Sequence, residues 1–251
     1  MIRIILSGCS GRMGKAVAAA ADDEISIVAG VDINAAALSP SPFPIYENIA
    51  DFSGEADVIV DFSHHSALPS LLNYAKATGT PIVVATTGHT DEELSLMNEA
   101  AKDVAIFHSG NFSLGINLLI TLAKQAARTL GMDFDIEIIE KHHNKKLDAP
   151  SGTALMIANA VADEREESEY IYDRHSVRKA REPKEIGIHS VRGGNIVGEH
   201  EIIFAGANEV VSISHSAASR EIFANGALRA AIYLAGKSAG LYSMTDLIEG
   251  K

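Results

Sequence analysis

At 251 residues, with 47% apolar and 22% charged side chains, the chain can bury the core of one large domain or two modest ones, and its composition excludes global disorder and fibre. The 33 acidic against 21 basic side chains leave a net charge of −12, which argues against general nucleic-acid binding and leaves any anionic ligand to a local basic patch. No apolar run approaches the roughly 20 residues of a membrane span, and Cys9 as the lone cysteine rules out an intrachain disulfide and a cysteine-based zinc site.

The chain opens with Arg3 inside a short apolar run, without a long h-region or cleavage site, and reads as cytoplasmic with no membrane association. Strands are expected at 2–6, 26–31, 58–62, 81–85 and 104–108, and helices between them at 13–21, 66–77 and 91–101. Thr90 followed by Glu93 predicts a capping box on the last of these. Residues 39–44 hold three prolines and read as a loop. Short β-branched runs alternating with helical spacing predict a parallel α/β sheet. After about Phe112 the character changes: a long helical stretch, 114–130, leads into two-fold alternation over 134–140, then candidate strands at 186–191, 198–204 and 210–215. That order fits a second domain on a mixed or antiparallel sheet. The stretch 163–184, first acidic and then basic, is expected to be a solvated helix and loop.

Directly after the first strand stands Gly8-Cys9-Ser10-Gly11-Arg12-Met13-Gly14. In strand, turn, helix context, Gly8 and Gly11 let backbone approach a pyrophosphate, Gly14 permits close helix packing, and the helix N-terminus favours negative charge. A plain glycine-rich turn is the bland alternative. Asp32, at the end of the second strand, stands where an acidic residue binds the adenine ribose and repels a 2′-phosphate. That leans toward NADH over NADPH, whereas Arg12 in the loop offers a partner for the same phosphate. Thr86-Thr87-Gly88 and Ser109-Gly110-Asn111-Phe112 lie at later strand ends, where they either line the nicotinamide side or serve as turns and caps.

The run Glu140-Lys141-His142-His143-Asn144-Lys145-Lys146-Leu147-Asp148-Ala149-Pro150-Ser151-Gly152-Thr153-Ala154 concentrates cations and proton donors in an acidic chain, a charge balance that suits a small dicarboxylate. Ser151 reads as a helix cap, with the amides of Gly152 and Thr153 ready for a carboxylate or simply closing a surface loop. Adjacent histidines on a strand face opposite ways, which disfavours metal ligation by Glu140, His142 and His143, and no metal is assigned.

These residues resemble the 4-hydroxy-tetrahydrodipicolinate reductase family, also called dihydrodipicolinate reductase. EKHHNKKLDAPSGTA is similar to the family signature, and GCSGRMG, DFS at 61–63, TTG at 86–88, NFSLGIN, GEHEIIFAG and a near form of SASREIFANGA at 216–227 stand around it in the family order. The resemblance implies an N-terminal Rossmann-like dinucleotide-binding domain (1–112 plus 222–251) and a second α+β substrate-binding and oligomerisation domain (113–221). It implies a homotetramer, a helix near 221–235 returning to the first domain, and hydride transfer from NADH or NADPH to a cyclic imine. By motif, His142 is the proton donor or acceptor, Lys146 a second donor, with Lys145 as its competitor, and His143 a substrate contact. Ser151, Gly152 and Thr153 bind substrate, the last two holding a carboxylate; Gly8 to Met13, Asp32, Ala85, Thr86, Thr87, Ser109, Gly110, Asn111 and Phe112 surround the dinucleotide. Another nicotinamide oxidoreductase and a non-catalytic dinucleotide sensor are the competing readings.

Overall fold

The computed structural model describes residues 1–35 and 41–250; of the expected proline loop, residues 39 and 40 lie outside the described residues. In chain order the elements are β1 (Ile2–Ser7), α1 (Arg12–Ala20), β2 (Ile25–Val31), β3 (Ile45–Tyr46), β4 (Val58–Asp61), α2 (Leu68–Thr78), β5 (Ile82–Val84), α3 (Asp91–Ala100), β6 (Ala105–His108) and α4 (Leu114–Leu130). Then follow β7 (Asp135–His142), α5 (Gly152–Ala162), β8 (Glu169–Ile171), β9 (Glu185–Arg192), β10 (Gly198–Ala205), β11 (Val210–Ala217), α6 (Glu221–Leu234), β12 (Gly240–Tyr242) and α7 (Met244–Glu249). They divide into two compact units, 1–114 with 220–251, and 115–219.

The first unit is built on a parallel sheet of order β12-β6-β5-β4-β1-β2-β3. Its central strands are mostly apolar because both faces are covered. Ile4, Leu6, Val58, Val60 and Phe107 pack with Val17 of α1 and Ala227, Ala231 and Leu234 of α6. Their neighbours Ile5, Ile59, Ile82 and Ile106 turn the other way, onto Leu68, Leu71 and Leu72 of α2 and Met97 of α3. Each such fully buried aliphatic side chain contributes about 1.5–3 kcal/mol. The chain runs from β1 out to β3 and then crosses to β4, so β1 is the switch point where open parallel sheets bind ligands at their carboxyl ends. The capping box forms: Thr90 Oγ1 accepts from Glu93 N, and Glu93 Oε2 accepts from Thr90 N at 2.9 Å.

The second unit is a mixed sheet, β11-β10-β7-β9-β8, with β7, β9 and β8 parallel and β10 and β11 antiparallel to their neighbours. Leu119, Ala123 and Ala127 of α4 and Ile157, Ala158 and Val161 of α5 cover one face. One expectation fails here. Residues 163–184 carry no helix, and β8 within them pairs with β9; the basic part is an exposed loop, as expected, that ion pairs tie to the sheet. Arg174 bridges Glu185 at 2.6 Å and Glu137 at 2.8 Å, and Arg181 reaches Asp135 at 2.6 Å. The hydrogen bond from Arg174, helped by Lys179, overrides desolvation and holds the Glu185 carboxyl at about 2.

Candidate active site

In the first unit, β1 ends in a turn that only glycines permit. Gly8 has a φ of +74°, and a Cβ there would stand 2.5 Å from the Phe62 carbonyl oxygen. A Cβ on Gly14 would stand 2.2 Å from the Gly8 carbonyl oxygen, so α1 rests directly on the loop it starts from. Asp32 accepts from Ser10 N at 3.1 Å, from Ser10 Oγ, and from Asn34 N at 3.0 Å. Against the upward push of burial, these bonds hold its carboxyl below the usual range, so it stays ionised. Gly8, Ser10, Gly11 and Asp32, together with Phe62, Ser63 and His64, line a cavity of about 670 Å³. A backbone cradle that a Cβ would fill, ending on an ionised carboxylate, fits a dinucleotide.

The other expected cofactor residues stand elsewhere on the carboxyl edge of the same sheet. Cys9 is buried, with its Sγ 2.7 Å from where a Cβ on Gly30 would stand. Arg12 is exposed and Met13 half-buried against the core. After β5, Ala85 and Thr86 are buried, Thr86 Oγ1 donating to Asp61 Oδ2 at 2.7 Å, while Thr87 is exposed. After β6, Ser109 Oγ donates to the Asn111 carbonyl at 2.8 Å, Gly110 is exposed, and Phe112 packs its ring on Phe62 and Phe107. These buried side chains leave backbone as what they can offer a ligand.

In the second unit the site grows out of the core by strand periodicity. Alternate residues of β7 turn inward: Ile136, Ile138, Glu140, His142. Those of β10 are Gly198, His200, Ile202 and Phe204. Register pairs Glu140 with His200 and Ser190, His200 with His215, and His142 with Arg192. One sheet face is thus apolar at one end and carries Glu140, His142, Arg192, His200 and His215 at the other.

Glu140 is wholly buried and receives Arg192 through two prongs, at 2.8 and 2.7 Å. His142 Nδ1 lies 2.5 Å from its Oε2, and Ser151 N donates to its Oε1 at 3.1 Å. Burial alone would raise this carboxyl; the bonds from Arg192, His142 and Ser190 hold it at about 2. Ser151 is buried, its Oγ accepting from Ala154 N at 3.1 Å as the α5 cap and standing 3.2 Å from His200 Nε2. Gly152 is exposed and Thr153 half-buried in the first turn of α5. His143 follows the strand end, its carbonyl accepting from Lys146 N at 3.1 Å. Lys146 is half-buried and pairs with Asp148 at 2.9 Å, whereas Lys145 is exposed. Lys146, with help from the Gly152 amide, holds Asp148 below the usual carboxyl range. A lysine and a helix-start amide therefore already serve one carboxylate.

His200 and Arg192 are the site residues that sequence reasoning missed. The signal was present for His200, since two-fold alternation in GEHEIIFA puts it on the side of Ile202 and Phe204. Burial, then neighbouring His142, pushes the His200 imidazole from 6.5 down to about 4 against the pull of Glu140. Folded His200 is neutral where the unfolded chain would protonate it. Its contribution is complete above pH 6.5 and drains away as the pH falls to 4; that of Glu140 and Glu185 drains between 4.5 and 2. Urea unfolding at pH 7 and pH 5 is expected to differ by about 2 kcal/mol from His200 alone. His200→Gln should flatten that slope, and an unaltered slope in the variant refutes the assignment.

Residues 2–112 match the family described as dihydrodipicolinate reductase, N-terminus, and residues 115–248 match dihydrodipicolinate reductase, C-terminus. The chain is 54% identical over 252 aligned positions to a 4-hydroxy-tetrahydrodipicolinate reductase of Caldanaerobacter subterraneus subsp. tengcongensis, covering 99% of each. It is 49% identical to that of Clostridium novyi, covering 100% of each. Among solved structures it is similar to a dipicolinate-bound dihydrodipicolinate reductase from Paenisporosarcina sp. TG-14, with a TM-score of 0.81, 25% identity and 97% of each chain covered.

Proposed function

The chain belongs to the dihydrodipicolinate reductase family, and on that premise we propose that it reduces 4-hydroxy-tetrahydrodipicolinate, through its dehydrated cyclic imine, to tetrahydrodipicolinate in diaminopimelate and lysine biosynthesis. The observation that carries this reading is the polar end of the second unit's sheet, where His142, Lys146 and the start of α5 gather proton donors and carboxylate donors in one place.

A bound nicotinamide dinucleotide supplies the hydride. Gly8, Ser10, Gly11 and the first amides of α1 hold its pyrophosphate, Asp32 takes the ribose hydroxyls, and the loops at Cys9, Arg12, Met13, 85–87 and 109–112 contribute backbone. Gly152 and Thr153 hold one substrate carboxylate and His143 contacts substrate; Lys146 gives up Asp148 to meet the same ligand. His142 supplies the proton that neutralises the charge created by hydride addition, with Lys146 as second donor.

The cofactor preference leans to NADH, supported by the ionised Asp32 and by Ile33, exposed beside it without positive charge. Asp32→Ala is expected to weaken NADH binding about tenfold and to relax discrimination against NADPH, because a charged hydrogen-bond partner and a repulsive charge vanish together. An unchanged NADH to NADPH ratio of kcat/KM counts against it. The same reading takes the protein as a cytoplasmic homotetramer. β11 supports self-association: it pairs only with β10 among the described strands and exposes Val210, and light scattering tests it. Among the described residues, no helix is long and apolar enough to cross a membrane. The test of function is oxidation of NADH and NADPH with substrate generated in place from pyruvate and aspartate semialdehyde; nucleotide binding without substrate-dependent oxidation overturns the reading.

A further inference from the structure

His142 does not stand alone at the end of β7. Its Nδ1 lies 2.5 Å from Glu140, a carboxylate with no solvent exposure, gripped by both prongs of Arg192 and by the Ser151 amide. Arg192 is itself anchored, donating to the carbonyl of Asp148 at 2.7 Å. On the other side of the ring, Nε2 would be 3.1 Å from a Cβ on Gly198, so the missing side chain leaves that edge uncrowded.

Resting on the reading of His142 as the proton donor, we infer that Glu140, clamped by Arg192, is its positioning residue: it accepts the Nδ1 proton at every stage and leaves Nε2 as the one atom whose proton comes and goes. An ionised carboxylate has only lone pairs to offer, so the ring nitrogen facing it must carry a hydrogen. In the proton-transfer step the Nε2–H bond breaks, its electron pair stays on the ring, and the proton goes to the substrate atom made electron-rich by hydride addition. The bond from Nδ1–H to Glu140 persists throughout and fixes the ring plane, as a carboxylate fixes a histidine in other proton-transfer sites.

Glu140→Gln separates this from a packing role. Glutamine keeps the volume but has one oxygen, which Arg192 claims, so its NH₂ faces Nδ1 and opposes a proton there. Expected are a fall in kcat of about 10²-fold, substrate KM and NADH affinity within about threefold of the parent, and loss of the protonated Nδ1 signature of His142 in two-bond ¹H–¹⁵N spectra. A kcat within about threefold of the parent, or an unaltered His142 signature, overturns the inference. If Glu140→Gln does not fold, Arg192→Lys takes its place, keeping the charge and losing the fork. It is expected to show the same spectral change with roughly tenfold lower kcat, and parent-like values overturn the inference equally. His142→Gln measured alongside isolates the premise: full turnover in that variant removes the proton-donor reading itself, whatever Glu140→Gln does.

Discussion

His142→Gln and Lys146→Ala are each expected to bind NADH nearly as the parent does while turnover falls by about 10²–10⁴-fold, the scale of a lost acid catalyst. Both side chains belong to the second unit, and none of the residues lining the dinucleotide cavity is touched. Fluorescence titration with NADH and single-turnover oxidation separate the two effects. The variants are not expected to fail alike. Lys146 also neutralises Asp148 at 2.9 Å, so on the proposed reading its removal leaves an unpaired carboxylate facing the substrate's own, and KM should rise along with the fall in kcat. His142→Gln should act on kcat alone. Near-parental turnover in both variants sinks the assignment of roles.

Gly226→Ala is expected to be the most damaging single methyl in the first unit. A Cβ at Gly226 would lie 1.7 Å from the carbonyl oxygen of Phe112, a contact with backbone that no rotamer relieves. Helix α6 supplies Ala224, Ala227, Leu228, Ala231 and Leu234 to the core, so it cannot retreat without opening that layer. Overpacking costs about 1–3 kcal/mol and occasionally more, and a strike on backbone belongs at the upper end. The carbonyl it strikes ends the loop 109–112 at the carboxyl edge of β6, so the damage should also appear as weaker NADH binding. A melting temperature and NADH affinity equal to the parent's refute it.

Much of the fold was legible in the sequence, for reasons that also mark its limits. Strands buried on both faces announce themselves as β-branched runs, and the Thr90 capping box is a local contest between two side chains and two amides. The glycine loop was legible because Gly14 answers to Gly8 and Cys9 a few residues away, although what Gly8 makes room for, Phe62 just past β4, is distant in sequence. β3, β8 and β12 were not expected: two or three residues hold too little alternation to stand out, and their pairing is decided by neighbours. The ion pairs that tie the exposed basic half of 163–184 to Glu137 and Glu185 were not legible, because they arise only once β7 and β9 lie side by side. The site divides in the same way. Ser151 as the α5 cap is local and was visible. Arg192 on Glu140 is a matter of register between parallel strands and was not; nor was the difference between Lys145 and Lys146, neighbours in sequence that fold to an exposed and a half-buried position.

The alternation along β7 has a bearing on quality control in the cell. Ile136 and Ile138 share a face with Glu140 and His142, so a strand that settles one residue out of step turns both isoleucines off the core face together with Glu140 and His142. Such a molecule offers chaperones and proteases the sticky surface they recognise. A register error in β7 would therefore be open to disposal rather than persist as a folded molecule without Glu140 and His142 in place.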